Sequence, residues 1–138
     1  MDREVIEQKI ESLRRCVERV RQKTPATAAA LASDPDAQDI LTLNLTRAVQ
    51  LCVDIGAHLI ATQNKAAPDT MGQTFDVLAD MGVIPPELAV RMKKAVGFRN
   101  IAVHNYEAID WEITHAIAAR HMSDFAAFAA AVVAAAGI

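Results

Sequence analysis

Residues 96–106 read Val96-Gly97-Phe98-Arg99-Asn100-Ile101-Ala102-Val103-His104-Asn105-Tyr106 and bring three chemically capable side chains together in an otherwise apolar stretch. Arg99 is a fixed cation whose planar fork of donors suits a phosphate. A histidine ordinarily titrates near neutral pH, so His104 can both take and give a proton. Tyr106 carries a phenol that can donate a hydrogen bond or accept a transferred group. Together they point to phosphodiester chemistry without a metal.

Spacing constrains how these residues act. Five residues along an ideal helix turn through about 500°, which leaves Arg99 and His104 roughly 140° apart. Two geometries can unite them: a helix that ends near His104 and lets its side chain swing back, or two chains that each supply part of one site. The second suits RNA cleavage through the strand's own 2′-hydroxyl. That reaction needs one base to take the hydroxyl proton and one acid to protonate the 5′-oxygen leaving group. One chain offers a single histidine in this segment. A symmetric dimer offers two, with two arginines to stabilise the charged transition state. A purely structural reading also stands, because Arg and His near a helix C-terminus meet the negative end of its dipole. Tyr106 can equally be a wall of the core with its hydroxyl bonded to backbone. On spacing alone the structural reading is the simpler one.

The elements that must position these residues are helical. Val5, Ile6, Ile10, Leu13, Val17 and Val20 recur at helical spacing and predict a first helix over about residues 2–23. Thr24-Pro25 ends it, since the residue before proline is pushed out of the α region. Residues 24–34 read as an Ala-rich linker or turn. Asp34 can cap a second helix whose first position holds Pro35, where a missing N–H costs nothing. This helix runs to about residue 64 and is apolar on more than one face, which suits the centre of a bundle or a surface shared with a partner. Thr70 and Gln73 make a capping box for a short third helix over about 70–81, stopped by Gly82. Pro85-Pro86-Glu87 launches a fourth, ending near His104. Asp110 caps a fifth over about 111–135, with Ile113, Ile117, Phe125, Phe128, Val132 and Val133 directed inward. No strand pattern or repeat interrupts this series. The expectation is an all-α, up-and-down four-helix-type bundle with one additional short helix, formed as a single domain over residues 1–138.

Composition agrees. The chain is 52% hydrophobic, much of it Ala, with only five Gly and five Pro, a balance that favours helix over sheet. No run approaches the roughly 18 uncharged apolar residues of a membrane span, and the N-terminus carries no secretion signal. Cys16 and Cys52 lack any metal-site spacing and suit buried thiols in a reducing, cytoplasmic setting. The net charge of −3 disfavours a general nucleic-acid binder. The positive charges are nevertheless clustered, with Arg14, Arg15, Arg19, Arg21 and Lys23 in the first helix and Arg91, Lys93, Lys94 and Arg99 in the fourth. For the first cluster a solvated face of mixed charge is the plainer reading.

Other polar residues are less telling. His58, His115 and His121 have no carboxylate or thiol at ligand spacing, so no metal site is expected. Asp54 interrupts an apolar stretch of the second helix and is a candidate to orient Arg99 or His104. Arg47 falls on a similar face, placed to pair with Asp54 or to contact phosphate.

Residues 97–106 resemble the signature of the HepT-like proteins, HEPN-domain ribonuclease toxins: Arg, a polar residue, three further residues, His, any residue, Tyr. Arg99, Asn100, His104 and Tyr106 fill it without a gap. Residues 43–58, Leu43-Asn44-Leu45-Thr46-Arg47-Ala48 through Cys52-Val53-Asp54-Ile55-Gly56-Ala57-His58, are similar to the family's second helix. Thr74-Phe75-Asp76-Val77-Leu78 through Gly82-Val83-Ile84 is similar to its third. The resemblance implies a homodimeric bundle that cleaves RNA without metal or cofactor at a composite cleft. In it Arg99 and His104 are the catalytic pair and Asn100 supports them. It also implies a type VII toxin–antitoxin pair, in which a minimal nucleotidyltransferase antitoxin transfers AMP to Tyr106. The alternative is a non-catalytic helical adaptor that binds such a nucleotidyltransferase and serves as its substrate.

Overall fold

The computed structural model describes residues 3–138, so Asp2, the expected start of the first helix, lies outside the described residues. Helix α1 spans Arg3–Lys23 and buries Ile6, Leu13 and Val20, spaced by two turns, with Cys16 between them. It stops where expected. The Thr24 hydroxyl donates to the Val20 carbonyl at 2.6 Å, closing the last turn ahead of Pro25.

The expected linker over 24–34 contains a helix, α2 (Ala28–Ala32). Thr27 caps it by accepting from the Ala30 amide at 3.1 Å, and the fully buried Leu31 anchors it. Gln38 donates to the Leu31 and Ala32 carbonyls at 2.9 and 3.1 Å and so joins its end to the next helix.

Helix α3 (Pro35–Thr62) begins on the Asp34 cap and ends two residues short of the expected 64. It is the central helix and packs on all six other helices. That explains an apolar surface wider than one stripe. Its length and composition do reach those of a membrane span, contrary to the reading above, yet 56% of that stretch is buried against its neighbours. Gly56 permits the closest approach. A Cβ there would lie 2.6 Å from Thr74 Cγ2 and 2.9 Å from Leu78 Cδ1, both on α4 (Met71–Asp80).

The Thr70 hydroxyl caps α4 at 3.1 Å, and Gln73 reaches back to the Asp69 amide at 2.8 Å, one residue earlier than the usual reciprocal bond. Gly82, with φ of +77°, supplies the left-handed turn that follows α4. Helix α5 (Pro86–His104) has the expected limits and stays helical to its last residue. A 3-10 turn over Tyr106–Ala108 follows.

The expected fifth helix is two helices, α6 (Trp111–Arg120) and α7 (Ser123–Ala136), bent by 51°. The break has an electrostatic use. It places Asp124 in the first turn of α7, where its carboxylate accepts from Arg91 Nε of α5 at 2.8 Å. It also resets the register. Thr114 and Ala118 take the core positions of α6, while Ile113 is 56% exposed rather than inward. Ile117 and Val133 are half-buried, and Phe125, Phe128 and Val132 are buried as expected. Phe128 meets Phe75 edge-on, with ring centroids 5.7 Å apart. The architecture is the expected all-α, up-and-down bundle. Its four legs are α1, α3, α5 and the bent α6–α7 pair, with α4 as the additional short helix and α2 as a second.

Candidate active site

The motif occupies the seam between α5 and α3, which places Arg99 half-buried against α3. Arg99 Nη1 donates to Asn100 Oδ1 at 3.1 Å and Nη2 donates to Gln50 Oε1 of α3 at 3.4 Å. Nε is buried and has no partner among the described residues. Both partners are neutral amides, so no carboxylate among the described residues lies within hydrogen-bond reach to cancel the guanidinium charge. A cation held only by neutral groups is suited to an incoming anion.

Gln50 has a second bond. Its amide Nε2 donates to Asp54 Oδ1 at 3.0 Å, one turn along α3, and Asp54 Oδ2 lies 3.7 Å from Lys9 Nζ of α1. Asp54 therefore reaches Arg99 only through Gln50, and its ion-pair partner is Lys9 rather than Arg47. Gln50 fixes the fork and keeps the carboxylate at one remove. Sequence reasoning missed it, although a Gln and an Asp four residues apart on one face of an apolar helix were a visible signal.

His104 is exposed at the C-terminus of α5 and makes no hydrogen bond or ion pair among the described residues. Because α5 remains regular, the roughly 140° divergence from Arg99 is retained. The chain does not swing His104 back. Arg99 and His104 therefore leave α5 on different faces.

Tyr106 follows in the 3-10 turn and is 41% exposed. It is not a core wall bonded to backbone. Its hydroxyl donates to Asp39 Oδ1 of α3 at 2.9 Å, and its ring packs edge-on against Trp111. Burial and the hydrogen bond to Asp39 both raise the phenol above its ordinary pKa, so at neutral pH it is the neutral hydroxyl. Asp39, also missed in the sequence, is positioned to accept that proton. Arg99 and Tyr106 thus dock at two points along α3, Gln50 and Asp39.

His115 Nε2 donates to the Pro25 carbonyl at 2.8 Å, and His121 Nδ1 lies 4.0 Å from Asp124. Cys16 and Cys52 are free and buried, and burial raises both thiols above their ordinary pKa. Among the described residues, no three His, Cys, Asp or Glu side chains gather as a set able to hold a metal ion.

The family model "Ribonuclease HepT-like" matches residues 6–132, and the chain belongs to this family. It is 33% identical over 125 residues to the mRNA nuclease HepT of Shewanella oneidensis, covering 91% of this chain and 93% of that one. Among solved structures it is similar to the tri-AMPylated HEPN toxin of Shewanella oneidensis in complex with its MNT antitoxin. The TM-score is 0.89 at 32% identity, over 97% of this chain and 99% of that one. A toxin–antitoxin structure with AMP-PNP superposes with a TM-score of 0.87 at 31% identity, over 96% and 99% of the two chains.

Proposed function

We propose that this protein is a metal-independent endoribonuclease toxin whose active site is completed by two copies of the chain. The observation that carries this reading is the regular course of α5 through His104, which directs His104 and Arg99 from different faces of the helix. A two-fold pairing supplies two His104 and two Arg99 to one cleft. One His104 takes the proton of the RNA 2′-hydroxyl as that oxygen bonds to phosphorus. The other gives its proton to the departing 5′-oxygen as the P–O5′ bond breaks. The products are a 2′,3′-cyclic phosphate and a 5′-hydroxyl. Arg99, steadied by Asn100 and Gln50, meets the charge that builds on the non-bridging oxygens.

Its partner is a minimal nucleotidyltransferase antitoxin that silences it through Tyr106. In the transfer Tyr106 Oη bonds to the α-phosphorus of ATP, pyrophosphate leaves, and the phenol proton departs with Asp39 as the nearest acceptor. The relatives solved as AMPylated toxin and as toxin–antitoxin complex support this partner.

The test is cleavage of total RNA by purified protein in EDTA, with its intact mass recorded. Unmodified protein is expected to cleave. Unmodified protein that leaves RNA whole contradicts the nuclease reading and favours the adaptor; inactive protein carrying added AMP masses is the silenced toxin.

A further inference from the structure

We infer that the groove between α1 and α3 is an RNA-phosphate site that extends the cleft away from Arg99. This rests on the nuclease reading above and gives the substrate its path. The groove encloses about 700 Å³ and takes Arg15 and Arg19 from α1, and Leu43, Arg47, Gln50 and Asp54 from α3.

The arginines here differ from the others on the same helix. Arg14 donates to Glu11 at 3.0 Å, and Arg21 is paired with Glu18, so these four charges neutralise one another on the exposed side of α1. Arg15 has only the Ser12 hydroxyl, at 3.3 Å, while Arg19 and Arg47 have no hydrogen bond or ion pair among the described residues. The sole carboxylate lining the groove, Asp54, is already engaged by Lys9 and Gln50. Arg19 and Arg47, which have no ion pair among the described residues, and Arg15, whose charge is shared in part with Glu11, therefore converge from two helices on one concavity in a chain of net charge −3. Cys16, also lining the groove, registers them: burial raises its thiol, and the charges of Arg47 and Arg15 oppose that rise.

The ligand class follows from this chemistry. Guanidinium forks grip phosphate oxygens, and their planes accept stacked bases, so an unpaired strand can be held without a sequence code. Arg15 and Arg19 stand one turn apart, about 6 Å of rise, a separation on the scale of successive phosphates in an extended strand. Gln50 joins the groove to the reaction centre, since it lines the one and holds Arg99 of the other. A strand with its scissile phosphate at Arg99 passes directly into this groove.

The test uses His104→Ala protein, which is expected to leave RNA intact, and a short fluorescein-labelled poly(U) strand, with anisotropy read across a salt series. Replacing Arg15, Arg19 and Arg47 together by Gln is expected to weaken binding and to lower the slope of log affinity against log salt by about 2, at ~0.7 per lost phosphate contact on a single strand. Arg47→Gln alone is expected to lower it by about 0.7. The paired control, Arg14→Gln with Arg21→Gln, removes two positive charges from the same helix and is expected to leave the slope unchanged. Groove variants that bind with the original affinity and slope, where the wild type cleaves RNA, overturn the groove alone. A wild type that does not cleave, with a His104→Ala protein that does not bind, overturns both readings.

Discussion

His104→Ala is expected to abolish growth arrest on expression and to lower RNA cleavage by about 10²–10⁴-fold, the usual worth of a positioned acid or base. The loss falls at the high end if both copies of His104 act in one cleft, because the substitution then removes base and acid together. The same substitution is expected to leave the fold nearly untouched. His104 is exposed and has no hydrogen-bond partner among the described residues, so its removal changes stability by about 0.5 kcal/mol or less. Cleavage rate and thermal melting measured on one preparation separate these effects. Undiminished toxicity in the variant contradicts the assignment, whatever the melting curve shows.

The second large effect belongs to Tyr106. Tyr106→Phe is expected to keep nuclease activity and to lose neutralisation by AMP transfer. Phe preserves the ring that packs on Trp111 and removes only Oη and its bond to Asp39. At a partly exposed position that bond is worth about 0.5–1.5 kcal/mol, too little to unfold the bundle. Without Oη no phosphoester can form. In the wild type, an adenylate attached at Tyr106 would place negative charge on the α3–α5 seam that also holds Arg99, where it would compete for the cation the RNA phosphate needs. The measurement is co-expression with the nucleotidyltransferase, followed by growth and intact mass. Arrest should persist, with no added AMP on the variant; AMP found on Tyr106→Phe protein would place the acceptor elsewhere.

The motif itself was legible in the sequence because all its members lie within eight residues of one another. What holds it was not. Gln50 lies 49 residues from Arg99 and Asp39 lies 67 residues from Tyr106. Those pairings exist only once α3 and α5 lie side by side, and no local pattern announces them. The fold shows a similar division. The start of helix α5 could be read from Pro85-Pro86, and that of α3 from Asp34-Pro35. Helix α2 was lost because Ala repeats carry no periodicity; Leu31 and the Thr27 cap were its only marks. The division between α6 and α7 was overrun by a continuous apolar pattern, although Ser123-Asp124 offers a helix start and Arg120-His121 a helix end. Missing that break is what turned Ile113 inward in the expectation.

The most direct measurement of the shared cleft is the activity of a mixed dimer, one wild-type subunit and one His104→Ala subunit, purified through two different tags. If both copies of His104 serve one cleft, the mixed dimer cleaves RNA at close to the rate of the doubly substituted protein. If it retains half the wild-type rate, each chain carries a complete site of its own, and the two-chain mechanism is wrong.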